Sequence, residues 1–479
     1  MTSSRNFLRI GARTGFGVLA TTAVVSFVVL AVMVPLPEVR VAAPSTQVTP
    51  QPEVQQRVCP GPLLAITTGQ ADAIAVSPFG EPNVVAGMED PDRAFESTAL
   101  VGVDPAGSGS PTMVSVVVDP AETTVPRLTA SQSQSVSGDE FTGLAAAGCQ
   151  EAVAESRLVA GSTDVGRTTL IILNNPSPVA ATVEIQIAGA LGPVEVTGAT
   201  GLIVEPGSQR VIPLAGLAPD VESPVVHVTS RGGQIAAWLQ HSVVRGLVPG
   251  GIELTGHAAS PSGRQVIPGV RVVAGATGVS NDTGRTLNDA EPVLRVHSVG
   301  EGDAELQVHV LNEDPAGTGA ALSARVTGGA VADLPIAELG AGTYTVVIDS
   351  SAPVVAAVRG NTSGTQDLDF AWFQASEQLT ESFLVSVPAG PSPRLHLANR
   401  GEQAAEVSLT PIRTAGDAST RTVEAGGSAS LAVAAGGLYL VTGPAGLYAA
   451  VGFNGDGEVS SFPVSAISSL AAPITVYRG

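Results

Sequence analysis

The chain has 479 residues, of which 14% are charged and 4% aromatic, and its 43 acidic side chains against 23 basic ones give a formal charge of −20. That length calls for roughly three or four domains, and a composition so rich in Ala, Val and Gly belongs to a packed core, not to a disordered chain. The anionic surface repels phosphate backbones and argues against any nucleic-acid partner; the absence of lysine, all 23 bases being arginine, excludes a P-loop lysine, a Schiff base and a Ser-x-x-Lys acyl enzyme.

Residues 1–13 carry Arg5, Arg9 and Arg13, and no charge follows until Glu38. An apolar run of about twenty residues suffices to cross a bilayer. Residues 14–34 are therefore expected to be a single transmembrane signal-anchor. The basic flank holds the N-terminus inside and the body outside the cytoplasm. A cleaved signal peptide is the competing reading, but the run is long for one and Pro44 follows the nearest small-residue pattern at Val41, Ala42 and Ala43. Residues 35–58 hold five prolines and read as an extended stalk, at about 3.1 Å per residue.

Cys59 and Cys149 are the two cysteines. In a chain outside the cytoplasm they are most simply a disulfide closing residues 59–155 as an N-terminal β-rich region. A metal site is a poor alternative, because structural zinc wants four N or S ligands and no CxxC or HxxxH is present.

The stretch LIILNNPSPVAATVEIQI, residues 170–187, reads as a strand, a polar turn and a second strand, in the manner of a hairpin. It recurs without gaps. Ile171 to Ile185 aligns with Leu294 to Val308 and with Leu395 to Leu409. Ala181, Val183 and Ile185 match Ala304, Leu306 and Val308, then Ala405, Val407 and Leu409, with mostly polar residues between. Such period-two alternation marks strands with one buried face. A second block repeats downstream, ending in Ile235-Ala236-Ala237, Val355-Ala356-Ala357 and Tyr448-Ala449-Ala450, and it too reads as hairpins. The expected fold is all-β: tandem immunoglobulin/fibronectin-like β-sandwich repeats over 156–262, 263–381 and 382–479, following the single N-terminal transmembrane helix.

The arginine-bearing N-terminus, the single membrane segment, the VCPGP start at Val58 and the LxLxNP-type strand ends resemble a domain-of-unknown-function family. Its members are uncharacterised secreted or membrane-anchored proteins of high-GC Gram-positive bacteria. The resemblance spans most of the chain after Cys59 and attaches no activity to any residue.

No catalytic or cofactor-binding constellation emerges. His227, His241, His257, His297, His309 and His396 alternate with apolar residues and read as solvated residues on outer strand faces. There is no HExxH and no GxSxG elbow. Asn454, Asp456 and Glu458 offer oxygens at calcium-loop spacing, yet Asn-Gly and Asp-Gly are also strong turn signals. The acidic cluster Glu89, Asp90 and Asp92 reads as a solvated loop. Trp238 and Trp372 read as buried indoles between sheets, not as sugar platforms. The sequence therefore points to a non-catalytic structural or interaction module of the cell envelope. It would hold the cytoplasmic membrane through its helix and contact an envelope protein or a cell-wall polymer; an enzyme or accessory in envelope glycan metabolism is the alternative.

Overall fold

A computed structural model describes residues 45–48, 54–68, 74–104, 109–119, 125–273, 291–336, 339–362, 369–413, 416–465 and 474–477. Apart from one 3-10 turn at Leu214–Gly216, every regular element is a β-strand. The expected membrane helix at 14–34 lies outside the described residues, and among those described no helix is long and apolar enough to cross a membrane. The two chain ends form a small unit of their own, in which Ser45–Val48 pairs antiparallel with Ile474–Tyr477.

Residues 54–150 build an N-terminal module from two three-stranded sheets and a hairpin. Val54–Val58, within the segment read as stalk, pairs with Thr112–Val117, which also pairs with Glu96–Ala99. Asn83–Met88, Leu128–Ser137 and Thr142–Gly148 form the second sheet. Cys59 and Cys149 are joined at its centre and are both buried, packed with Met88, Val114 and Leu128. Leu63–Thr68 pairs with Ile74–Phe79 in the hairpin, and side chains satisfy further backbone groups of 61–64. Gln132 bonds Gly61 through both its amide atoms, Gln134 accepts from Leu63, and Gln240 both accepts from and donates to Leu64. Buried backbone needs such partners.

Three units of identical strand order follow. In the first, one sheet runs Glu155–Val159, Val225–Gly232, Ala181–Gly189 and Gly192–Val194, with Leu202–Val204 also on Ala181–Gly189. The facing sheet runs Ser208–Pro213, Arg167–Asn175, Ala236–Arg245 and Val248–Thr255. The third, from Ser382 to Pro463, repeats this order. In the second, the sixth and seventh strands are fused into one of 20 residues, Gly342–Asn361. Its first half pairs with Ser262–Val272 and Ala304–Asn312, its second with Val293–Ser298 and Phe370–Gln374. Each pair of sheets encloses one apolar core: Val183 and Ile185 meet Ile171 and Leu173, Leu306 and Val308 meet Leu294 and Val296, and Val407 and Leu409 meet Leu395 and Leu397. The second and fifth strands share one sheet and the third and sixth the other, as in immunoglobulin sandwiches, but the first, fourth and seventh strands lie in the opposite sheet from that order.

The hairpins expected from the repeats are arches instead, except that the second block of the second unit is one continuous strand. Arg167–Asn175 pairs with Ser208–Pro213 and Ala236–Arg245, never with Ala181–Gly189, so LIILNNPSPVAATVEIQI crosses from one sheet to the other. Both connections present the same alternation to a core, which is why pattern alone does not separate them. The second block also slips by one residue in the first unit. Register places Ala237, not Ala236, level with Ala356 and Ala449, because Leu173, Val296 and Leu397 pair with these three. One extra residue in the turn around Gly232 and Gly233 accounts for the slip.

The arch also keeps one identity that its variable loop conceals. Asn175 donates to the Val179 and Val204 carbonyls and accepts from the Ser177 amide. Asn399 does the same toward Gln403, Val423 and Gly401. Asn175→Ala would leave two carbonyls and an amide without this partner, and is expected to cost about 2 kcal/mol in a urea titration. A loss below about 0.5 kcal/mol would show that the side chain does not hold the arch.

Candidate functional site

Much of the outer face of the second, seventh and eighth strands in each sandwich is buried against a neighbouring module. In the first sandwich Leu170, Ile172, Ala236 and Trp238 pack on Leu63, Leu64, Ala145 and Ala147 of the N-terminal module. In the second, Val355, Ala357 and Trp372 join the first sandwich's cluster. In the third, Ala398 and Tyr448 pack on Val266 and Val347 of the second. Burial on both faces explains why LIIL and VVAAV are nearly continuous apolar runs. Both tryptophans are buried as expected, but between modules and not within one sandwich.

These seams gather the polar residues. Arg295, 2% exposed, makes a bidentate pair with Asp333 at 2.8 and 2.9 Å. It also donates across the seam to the Gly161 and Pro224 carbonyls, and its guanidinium lies 4.6 Å from the Trp372 ring centre. Burial pushes the Asp333 carboxyl up, but the Arg295 charge and hydrogen bonds outweigh it and hold the group below the ordinary carboxylate value. Trp372 Nε1 donates to His241 Nδ1 of the first sandwich at 3.2 Å. His396 Nδ1 lies 3.0 Å from Glu313 of the second sandwich.

The expectation of solvated histidines is thus corrected for all but His309. His241, His297 and His396 are buried, His227 and His257 are half-buried, and His309 is exposed. His241, His297 and His396 do occupy outer strand faces, but neighbouring modules cover those faces, which no single-repeat pattern reveals; His257 lies beyond the end of Val248–Thr255. Burial lowers His297 to about 4, with Arg157 and His227 adding to the shift.

Four modules meet at the last strands of the three sandwiches and Thr142–Gly148 of the N-terminal module. Asp369, just before Phe370–Gln374, sits at their centre and is fully buried. Its Oδ2 accepts from the Leu144 amide at 2.9 Å and the Val459 amide at 3.0 Å; its Oδ1 accepts from the Ile252 amide at 3.3 Å. One carboxyl therefore binds backbone of the N-terminal module, the third sandwich and the first. Gly143 and Gly251, at φ of +116° and +111°, abut this carboxyl so closely that any Cβ at either position would collide with it. Beside it, Glu253 Oε1 accepts from Ser460 Oγ at 2.8 Å and from its neighbour's Leu254 amide. Ser460 Oγ in turn accepts from the Ala146 amide at 2.9 Å.

Burial pushes both carboxyls well above their usual range; hydrogen bonds oppose the shift, and at Glu253 the Asp369 charge adds to it. Three cross-module amide donors oppose the shift at Asp369, whereas Glu253 has one oxygen, Oε2, without a hydrogen-bond partner. The sign follows. A carboxyl raised by folding stabilises fully below its unfolded value near 4.3, and that contribution is lost as pH rises toward the folded value. Glu253→Gln, neutral throughout, is expected to gain melting temperature over wild type from pH 5 to pH 8. A constant difference across that range would show that Glu253 does not titrate with folding.

Chemically this junction holds modules together. Ser460, Glu253 and His241 are types familiar from acyl transfer, but the hydroxyl donates to the carboxylate, the imidazole accepts from an indole, and all three are closed to solvent. The Asn454, Asp456 and Glu458 loop is a tight turn in which the Gly455 amide donates to the Glu458 carbonyl at 2.8 Å. Asn454 and Asp456 are exposed, and Glu458 takes the Ser135 hydroxyl. Among the described residues no group of three or more His, Cys, Asp and Glu side chains is placed to hold a metal. Asp90 accepts from the Asp92 amide, and Glu89 pairs with Arg127. Asp369 and Glu253 at the junction and Arg295 at its seam carry one weak signal in sequence: Glu253 and Arg295 are charges inside otherwise apolar strands, and Asp369 stands at the edge of one.

Fold and junction together define an all-β protein of stacked two-sheet units cemented by buried polar groups. The chain belongs to a family of unknown function, DUF5719, whose model matches residues 101–436. No curated protein matches the sequence.

Proposed function

We propose that the protein is a non-catalytic structural or interaction module held outside the cytoplasm of a bacterial cell. Residues 14–34 act as its membrane anchor, and its units are permuted relatives of immunoglobulin/fibronectin sandwiches. Its partner is an envelope protein or a cell-wall polymer, not nucleic acid. One observation carries this reading: the side chains best suited to chemistry are engaged in joining modules, as Arg295, His241, Glu253, Asp369 and His396 all are. The buried Cys59–Cys149 bond suits an oxidising compartment.

Protease added to intact spheroplasts is expected to remove a C-terminal tag; a protected tag would overturn the location. Crosslinking in native membranes is expected to recover a reproducible partner, and recovery of none would count against the interaction role. The accessory reading in glycan metabolism is favoured by a cleft of about 500 Å3 between the second and third sandwiches, lined by Arg264, Asp349, Glu377 and Tyr448. Titration with soluble glycan fragments separates the two readings.

A further inference from the structure

A second cleft at the seam of the second and third sandwiches has a different character. It is about 90 Å3 and is lined by Arg271, Thr343, Ser392, Arg394, His396 and Asn454 among others. No carboxylate lines it. Arg271 lies near the end of Ser262–Val272, opposite Thr343 in the ladder, and its Nε is buried without a hydrogen-bond partner. Arg394 stands at the first position of Arg394–Asn399 and, among the described residues, engages only Ser430, at 3.0 Å to its Oγ and 3.4 Å to its carbonyl. Among the described residues neither guanidinium meets a carboxylate, in a chain where acids outnumber bases 43 to 23. His396, also in the lining, is fixed by Glu313 at its Nδ1, and Gly269 and Gly452 press so closely on the ring that no side chain fits at either position.

We propose that this cleft binds a small oxyanion, a phosphate or carboxylate group, between Arg271 and Arg394, with the Thr343 and Ser392 hydroxyls and the Asn454 amide as further donors. Two guanidiniums facing one cavity without counter-charge match the planar fork geometry that recognises such anions. The volume holds one such group and its closest waters, not a whole sugar chain. A free anion and one carried on an envelope polymer offer the same chemistry. The proposal adds a ligand class to the envelope reading and rests on that reading only for the identity of the carrier; the topology experiment above can fail without touching it.

The test is calorimetric titration of the full chain in detergent, at physiological chloride, with three probes: inorganic phosphate, dimethyl phosphate and acetate. Saturable binding of at least one is expected, weakened roughly tenfold or more in Arg271→Gln and again in Arg394→Gln. Arg325→Gln, an exposed residue paired with Asp303, is expected to leave it unchanged. Preference for phosphate points to a free anion, for dimethyl phosphate to a phosphodiester polymer, and for acetate to a carboxylate. Arg394 is exposed, so its variant folds even if Arg271→Gln does not. Absence of saturable binding with all three probes, or unchanged binding in either arginine variant that folds, overturns the proposal.

Discussion

Asp369→Ala is expected to destabilise the protein by about 3–5 kcal/mol, read as a shift in the guanidinium midpoint. The substitution removes the acceptor of three buried amides at once, and each orphaned donor costs about 1–3 kcal/mol. The estimate does not depend on whether the carboxyl is charged, because either form accepts. Asp369→Asn keeps one carbonyl oxygen and is expected to recover part of the loss. The amides belong to strands far apart in sequence, so the damage should appear in all the modules they come from. A loss under about 1 kcal/mol would mean that water or local rearrangement satisfies these amides readily.

Cys59→Ser with Cys149→Ser is expected to cost about 4–5 kcal/mol, since the bond closes a separation of 90 residues in the unfolded chain. Changing both residues avoids a lone buried thiol. The cost reaches beyond the N-terminal module, because Leu63, Leu64, Ala145 and Ala147 cover the outer face of the first sandwich at Leu170, Ile172 and Trp238. Loosening that module exposes an apolar sheet face to solvent. A double variant that melts within about 1 kcal/mol of wild type would show that the ladders alone hold the module together.

What could be read in the sequence was whatever a single strand imposes on its own residues. Val183 and Ile185, Leu306 and Val308, and Val407 and Leu409 alternate because each strand buries one face, and all six are buried. What could not be read depends on relations between strands. An arch and a hairpin leave the same alternation, so the crossing at Asn175 was hidden. A one-residue difference in turn length moved Ala237 into the place assigned to Ala236. The junction was hidden for a further reason. Ile172, Arg295 and His396 occupy one equivalent outward position on the second strand of the three sandwiches, yet are apolar, cationic and imidazole. Each suits the module it faces: an apolar cluster, the Gly161 and Pro224 carbonyls of the first sandwich, and the Glu313 carboxylate of the second. A repeat compared with itself shows this position as unconstrained, because its constraint comes from outside the repeat.

Through the one buried carboxyl of Asp369, the N-terminal module and the three sandwiches are expected to open together. Hydrogen exchange of the Leu144, Ile252 and Val459 amides tests it most directly, since these are the donors from three separate modules. After correction for intrinsic rates, the three are predicted to share one opening free energy, equal to that of global unfolding, and to lose protection together in Asp369→Ala. Exchange of Leu144 orders of magnitude faster than Ile252 and Val459, with the latter two unaffected by the substitution, would contradict it.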